Sequence, residues 1–396
     1  MLQGLETALR DLHTADLAAL FAPGFLAQLP APELRSRLEH MIRELGMPTH
    51  HVICERRSDR SARIRFTFAR GYSAHGSVAL DDEPRPRIQW LLFDLPTRDA
   101  DSWEDIEAAV AALPGRTSFE VRDLTAGRRL AAVTPERAVG VGSVSKLCIL
   151  SAVLDAVEAG SRRWTDLLTL EGGDRSLPSG ILQDWPAGSP LTLHTATVLA
   201  ISISDNTAAD LLLRVLGRDA VEAVRRRLPG AAATAPPFFS THGLFALLVA
   251  PEAEREAYLQ APPDAQRAQL AALEARPRPD VSQLAGLFPE GCDWYFSAAD
   301  VCGILDRVRG QIAGSDVARG VFGVGTGGIR LEAWRFVGFK GGSSPGRLAF
   351  ATLLEDDAHR WVALCMAQNA TPETLDFEAT ARLVKRAADQ ARGVGA

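Results

Sequence analysis

The stretch Val139-Gly140-Val141-Gly142-Ser143-Val144-Ser145-Lys146-Leu147-Cys148-Ile149-Leu150 constrains this chain more than any other. Glycines and small residues lead into Ser143, and an apolar, helix-compatible run continues through Val153, Leu154 and Val157. The pattern reads as a strand, a tight turn and a helix, with Ser143 at the helix N-terminus and Lys146 three residues on. Residues three apart share a helical face, so the amine can reach the hydroxyl. A serine hydroxyl is a poor nucleophile until a base takes its proton, and a buried lysine with a lowered pKa is such a base.

Composition makes this lysine conspicuous. Of 43 basic residues only Lys146, Lys340 and Lys385 are lysines; the rest are arginines. Arginine cannot be deprotonated in a protein, so a retained lysine is a candidate for chemistry that arginine cannot perform. Asparagine is rarer still, at Asn206 and Asn369 alone.

A length of 396 residues is long for one core and predicts two domains, 1–98 and 99–396. A hydrophobic content of 46% with 23% charged residues fits a globular chain. The net charge of -6 gives no basic footprint for nucleic acid. The opening Met1-Leu2-Gln3-Gly4-Leu5-Glu6-Thr7 has neither a basic nor an apolar leader segment, and no apolar run is long enough to span a bilayer. A cytoplasmic protein without a membrane partner is the expectation. Five cysteines, Cys54, Cys148, Cys292, Cys302 and Cys365, lack metal-ligand spacing, and their odd number argues against a disulfide framework. Neither metal nor cofactor is expected.

Leu5, Leu9 and Leu12, then Leu34, Leu38, Ile42 and Leu45, recur at helical spacing, so the chain reads as helical from Leu2 to Leu45. The period then changes to that of strands over 51–54, 62–68, 74–80 and 88–93. Helices followed by a curled antiparallel sheet make an α+β cone, with His75, Trp90 and Asp94 as candidate pocket residues. A substrate-shaping or dimerising accessory role is the expectation for this domain, which places a homodimer among the expected assemblies.

Leu95 to Ser102 is polar and turn-prone and marks the boundary. Beyond it, a helix from Trp103 to Leu113, a hairpin over 117–124 and 128–133, and the Ser143 helix are expected. Thr192 is expected to cap a helix running into Ser204-Asp205-Asn206, and Ser297 with Asp300 forms a capping box. Late strands over 333–340, 348–354 and 361–367 precede a helix over 372–392. Pro251 to Asp280, rich in Glu, Ala, Arg and Pro, reads as a surface insertion with a solvated charged face.

Three segments in this order, Ser143-Val144-Ser145-Lys146, Ser204-Asp205-Asn206 and Lys340-Gly341-Gly342, resemble the signatures of penicillin-binding serine hydrolases and class A β-lactamases. The likeness runs from about residue 101 to the end. The resemblance implies Ser143 as the acylated nucleophile, Lys146 as base and Ser204 as proton relay, with Asp205 a structural member of its motif. It implies Asn206, Lys340, Gly342 and Ser343 as substrate-binding residues, Lys340 attracting a substrate carboxylate. The backbone N–H groups of Ser143 and Ser343 would form the oxyanion hole. The order of elements in the first domain resembles the nuclear-transport-factor-2/steroid-isomerase-like domains. The two together resemble a two-domain β-lactamase-like group from clavulanic acid biosynthesis, which implies a weak β-lactamase with cephalosporin esterase activity. A D-alanyl-D-alanine peptidase and a non-hydrolytic β-lactam-binding protein are the alternatives.

Two departures from the family pattern stand out. Gly341 replaces the usual Thr or Ser and removes a hydroxyl that contacts the substrate carboxylate, with Ser343 or Ser344 as candidate replacements. The stretch where class A enzymes place the deacylating Glu reads Pro236-Pro237-Phe238-Phe239-Ser240-Thr241-His242-Gly243 and holds no carboxylate. Glu222 lies on an earlier helix. His242 is the only titratable group in the stretch, and slow lactam turnover is expected.

Overall fold

The computed structural model describes residues 5, 9–98, 100–228, 230, 236–280, 289–325, 327–331 and 333–393. The chain divides into two compact units, one comprising Met1–Ser102 with Gly393–Ala396 and the other Trp103–Arg392.

In the first unit the expected continuous helical region is broken by local chemistry. Helix α1 (Leu17–Leu20) is capped by the Asp16 carboxylate, α2 (Pro23–Gln28) starts on a proline, and α3 (Ala31–Leu45) follows Pro30 and ends at Gly46 in a left-handed conformation. The beginning of the expected helix, residues 2–4 and 6–8, lies outside the described residues. The leader reading at Met1 to Thr7 falls there too, apart from Leu5. Strands β1 (Pro48–Ser58), β2 (Ser61–Phe68), β3 (Tyr72–Leu80) and β4 (Ile88–Phe93) pair antiparallel in that order, and β5 (Thr97–Arg98) also pairs with β3. Three register shifts interrupt the β1–β2 ladder, and such irregularities bend and twist a sheet.

The strand alternation decides which residues face the helices. Ile64, Phe66, Ala74 and Val78 join Leu5, Leu9, Leu34, Leu38 and Phe21 in one apolar core. His75 alternates with the core residue Ala74, and Asp94 donates its backbone N–H to the His75 carbonyl. Trp90 pairs with Ala79, a strand position out of phase with Val78, and is 55% exposed. The three residues expected to line a pocket therefore stand on the face opposite the core. Asp94 is instead 3.6 Å from the Arg63 guanidinium in an ion pair.

The second unit is built on a five-stranded antiparallel sheet. Its strands are β6 (Arg116–Asp123), β7 (Arg128–Val133), β12 (Phe336–Ser344), β13 (Arg347–Glu355) and β14 (Trp361–Asn369), in the order β12-β13-β14-β6-β7. Helices α4 (Trp103–Ala111) and α14 (Phe377–Ala391) pack on β7 and β14, while α12 (Ala298–Ile312) packs on β14, β6 and β13, with α5 (Lys146–Glu158) beyond it. Strand β13 is buried at all nine positions, as expected of a strand covered on both faces. The expected capping box of Ser297 and Asp300 opens α12.

The expected surface insertion is a packed element instead. Helices α10 (Glu252–Gln260) and α11 (Pro263–Glu274) bury Tyr258, Leu270 and Leu273 against Phe239, Leu247 and Cys292. The charged run also holds tertiary contacts, since Arg267 pairs with the buried Glu222, and the Glu274 carboxylate accepts from Ser240 and Arg218. The alternating small and charged residues concealed an apolar stripe one face wide. No helix among the described residues is long and apolar enough to cross a membrane, and no group of His, Cys, Asp and Glu among them is arranged to hold a metal.

Candidate active site

Ser143 sits where a short strand ends against the sheet edge. Strand β8 (Val139–Gly140) pairs with β11 (Tyr295–Phe296), and the Gly142 N–H donates to the Asp293 carboxylate at 3.0 Å. Gly142 has φ of +53°, a left-handed turn suited to glycine, and a 3₁₀ helix (Gly142–Ser145) follows. Side chains three residues apart eclipse in a 3₁₀ turn, which brings the Ser143 and Lys146 side chains onto one side. From Lys146 to Leu154 every residue of α5 is buried, so Lys146 lies in the first turn of a core helix.

The lysine does not turn its amine to Ser143. The Lys146 Nζ donates to the Asn206 Oδ1 at 2.7 Å, the Ser204 carbonyl at 2.5 Å and the Ser204 Oγ at 3.2 Å. Burial pushes the amine down to about 7, although the nearby Asp210 and Asp205 carboxylates favour its charged form. A base near neutrality is well matched to proton transfer at physiological pH.

Ser204 is the meeting point of both lysines. The Lys340 Nζ donates to its Oγ at 2.9 Å and to the Gly341 carbonyl at 2.6 Å. Burial, with Lys146 as a like charge nearby, holds the Lys340 amine well below the usual lysine range. Ser204 has φ of +59°, an uncommon conformation for a residue with a Cβ. The strain accompanies a carbonyl and hydroxyl both directed at Lys146. Asn206 lies at the start of α7 (Asn206–Leu216), and its Nδ2 donates to the Leu177 carbonyl at 2.9 Å. The Asp205 carboxylate is fully buried and accepts from Ile181 N, Leu182 N and Ala208 N, joining the chain at 181–182 to the start of α7.

On the other side, strand β12 is pressed against the 3₁₀ turn. A Cβ at Gly342 would lie 2.1 Å from the Val141 carbonyl and 2.9 Å from the Ser143 nitrogen, so only glycine permits the approach. A Cβ at Gly142 would lie 3.5 Å from the Ser343 nitrogen. The backbones carrying the Ser143 and Ser343 N–H groups thus lie side by side.

A cavity of about 560 Å³ opens over these groups. Ser143, Ser204, Asn206, Gly342 and Ser343 line it, whereas Lys146 and Lys340 stand behind Ser204 and are only 3% and 2% exposed. The cavity therefore gathers the Ser, Asn and Gly members of the three segments. Sequence reasoning missed its apolar wall, made of Phe245, Trp294, Phe339, Leu348, Phe350 and Phe377. It also missed Asp293, the one carboxylate lining the cavity among the described residues. The buried Arg347 binds that carboxylate at 2.7 Å. The neighbour of Gly341 was not legible in the sequence: a Cβ there would lie 3.2 Å from the Phe339 ring.

The stretch over 236–243 divides between two cavities. Thr241 lines the Ser143 cavity, at the start of α9 (Thr241–Val249). His242 lines a different cavity of about 310 Å³, with Asp174, Asp210, Arg214, Arg218 and Glu274. The Asp210 carboxylate accepts from Thr241 N at 2.7 Å and His242 N at 2.9 Å, which fixes this division. Burial raises the Asp210 carboxyl to about 6.

Residues 101–241 match the family model described as the beta-lactamase enzyme family. Among solved structures, a β-lactamase from Sphaerobacter thermophilus is 23% identical, with a TM-score of 0.51 over 74% of this chain and 99% of its own. An ancestral class A β-lactamase, from the last common ancestor of Gram-negative bacteria, is 19% identical over 74% of this chain and 98% of its own, with a TM-score of 0.52. A PBP-A variant, solved as an acyl-enzyme complex with penicillin G, is 17% identical over 74% of this chain and 96% of its own, with a TM-score of 0.52. These likenesses establish a domain of class A β-lactamase-like fold. No curated protein matches the sequence.

Proposed function

We propose that the chain is a serine hydrolase that acts through an acyl-enzyme on β-lactam or ester substrates. The observation that carries this reading is the Lys146 amine, buried, lowered to about 7 and held 3.2 Å from the hydroxyl of Ser204 behind the cavity wall that presents Ser143. In this reading Ser143 Oγ attacks the substrate carbonyl and its proton passes to neutral Lys146. Ser204 returns a proton to the leaving nitrogen or alkoxide as the C–N or C–O bond breaks, and water later releases the acyl group as an acid.

Lys340 supports the relay. Its amine and that of Lys146 share one hydroxyl, so Ser204 can accept from one and donate to the other when the latter is neutral. The N–H groups of Ser143 and Ser343 stabilise the oxyanion; such a donor contributes roughly 3 kcal/mol. Asn206 presents its remaining amide proton to the substrate. The first unit is a nuclear-transport-factor-2-like accessory domain in this proposal, and the two units together resemble the two-domain β-lactamase-like group from clavulanic acid biosynthesis.

One observation favours a second reading, a lactam-binding protein with little turnover. Among the described cavity-lining residues the only carboxylate, Asp293, is committed to Arg347 and to two backbone N–H groups. Intact-mass spectrometry after exposure to a penicillin, a cephalosporin and simple esters tests both. A transient or lasting adduct mapped to Ser143 is the expected result; unmodified protein that also hydrolyses none of the probes rejects the acyl-enzyme.

A further inference from the structure

The cations that would anchor a substrate carboxylate are committed elsewhere, and the hydroxyl usual after the third segment's lysine is absent from the cavity wall. Gly341 supplies no hydroxyl, and the ring of Phe339 fills the space beside it. Phe339 in turn packs at a tilt against Phe350, 6.1 Å between ring centroids, and Phe350 likewise against Phe377 at 5.4 Å, a continuous aromatic surface along the cavity.

The cations are equally occupied. No Lys or Arg lines the cavity among the described residues. Lys340 is directed at Ser204 Oγ and the Gly341 carbonyl. Arg347 has Asp293 at 2.7 Å, the Cys292 carbonyl at 2.9 Å and the Pro289 carbonyl at 3.0 Å. It is Asp293, the anionic member of that pair, that reaches the cavity wall. A carboxylate entering here would lose its water without gaining a cation, which is strongly unfavourable.

A neutral donor remains. The Ser344 Oγ is buried without a partner among the described residues, and Ser344 lines the cavity. Being neutral, it brings no cation to a carboxylate entering beside it.

We infer that this site selects neutral esters with apolar acyl groups, and discriminates against substrates that carry a carboxylate near the scissile carbonyl. The inference rests on the acyl-enzyme reading above. The acyl chain lies along Phe339, Phe350 and Phe377, and the ester's C–O bond breaks with the alcohol leaving protonated. Water then cleaves the Ser143 acyl bond to give the free acid, which the same apolar, cation-poor wall expels. Product release and substrate choice thereby have one cause.

The test compares p-nitrophenyl valerate with mono-p-nitrophenyl glutarate, whose acyl chains have the same number of carbons but differ by a terminal carboxylate. The wild-type protein is expected to favour valerate in kcat/KM by roughly tenfold or more, since a misplaced charge costs at least that much. Asp293→Asn, which uncovers the charge of Arg347, is expected to narrow the ratio by at least roughly threefold. Phe339→Leu with Gly341→Ser, which restores a hydroxyl without disturbing the ion pair, is expected to narrow it in the same direction. A wild-type ratio at or below one overturns the inference while leaving the acyl-enzyme intact. Ratios unchanged in both variants overturn the assignment to this wall. Absence of a Ser143 adduct with either ester and with a neutral fluorophosphonate removes the acyl-enzyme reading itself.

Discussion

The cavity wall around Ser204 and Asn206 buries polar groups that satisfy one another, whereas the wall around Phe339 and Phe350 buries rings over glycine backbone. On the first wall the Lys146 amine, the Lys340 amine and the Asn206 amide all have named acceptors, and two amines meet at one hydroxyl. On the second, space rather than hydrogen bonding defines the surface, and Gly341 and Gly327 exist to admit the Phe339 ring. In the proposed reading the first wall sets when protons move, and the second sets what can lie beside them. Substitutions on the polar wall are therefore expected to change kcat and pH dependence, and those on the apolar wall to change substrate preference.

The largest effect is expected at Ser143. Ser143→Ala removes the attacking oxygen and is expected to lower hydrolysis by at least roughly ten-thousand-fold and to abolish covalent labelling. Peptide mapping of the adduct checks the position. A label on Ser204 or Ser343 would move the nucleophile to another part of the cavity wall.

Next come the two lysines. Lys146→Arg keeps charge but puts at neutral pH a guanidinium where a base is required, and a loss of roughly a hundred- to ten-thousand-fold is expected. Lys340→Arg keeps both donors toward Ser204 and the Gly341 carbonyl, so a smaller loss, roughly tenfold, is expected despite its tight burial. Single-turnover acylation rates separate the two. Equal losses would show that the amines have interchangeable roles.

The polar wall was readable from sequence because its residues are chemically unusual in this chain. A lysine kept among arginines, and an asparagine among two, stand out before any folding is considered. The helix caps at Thr192 and Ser297 were readable for a similar reason, since an oxygen three residues from an N–H is a local event. The apolar wall was not readable. Phe339 is one of 16 phenylalanines, and its contact with Gly341 depends on the two facing the same side of an edge strand. Asp293 reaches the cavity only because β11 pairs with β8, over 150 residues back in the chain. His242 and Thr241 are neighbours in sequence and line separate cavities, which only the Asp210 carboxylate reveals. In the first unit the strands were legible, but the face was not: a period of two gives two faces without saying which meets the helices.

Slow deacylation is a more moderate expectation. General-base assistance contributes roughly a hundred- to ten-thousand-fold, and neither Thr241 nor the arginine-bound Asp293 provides it readily. Penicillin adducts are therefore expected to outlast a normal turnover, measured by intact mass at successive times. Fast steady-state penicillin hydrolysis without accumulation would show that a water is activated from the polar wall after all.

The smallest effect tests how the two cavities communicate. Asp210 lines the His242 cavity, yet its charge favours the ammonium form of Lys146. Asp210→Asn removes that charge, so the Lys146 amine is expected to fall below about 7. Acylation requires the neutral amine, and the ascending limb of its pH profile should then move to lower pH by several tenths of a unit to about one unit. The same variant changes stability in a defined window. The Asp210 carboxyl is raised from 3.8 to about 6, so its contribution to folding is fully present below 3.8 and lost as pH rises through about 6. Asn does not titrate, so denaturant unfolding between pH 4 and 6 should depend less on pH in the variant. The amide offers one acceptor oxygen where two backbone N–H groups now find two, and a uniform loss of roughly 1–3 kcal/mol should accompany the change. A shifted kinetic limb with that flatter stability profile locates the coupling in the Asp210 charge. A limb that stays near 7 would show that burial and Asp205 set the Lys146 amine without Asp210, and that the two cavities act independently.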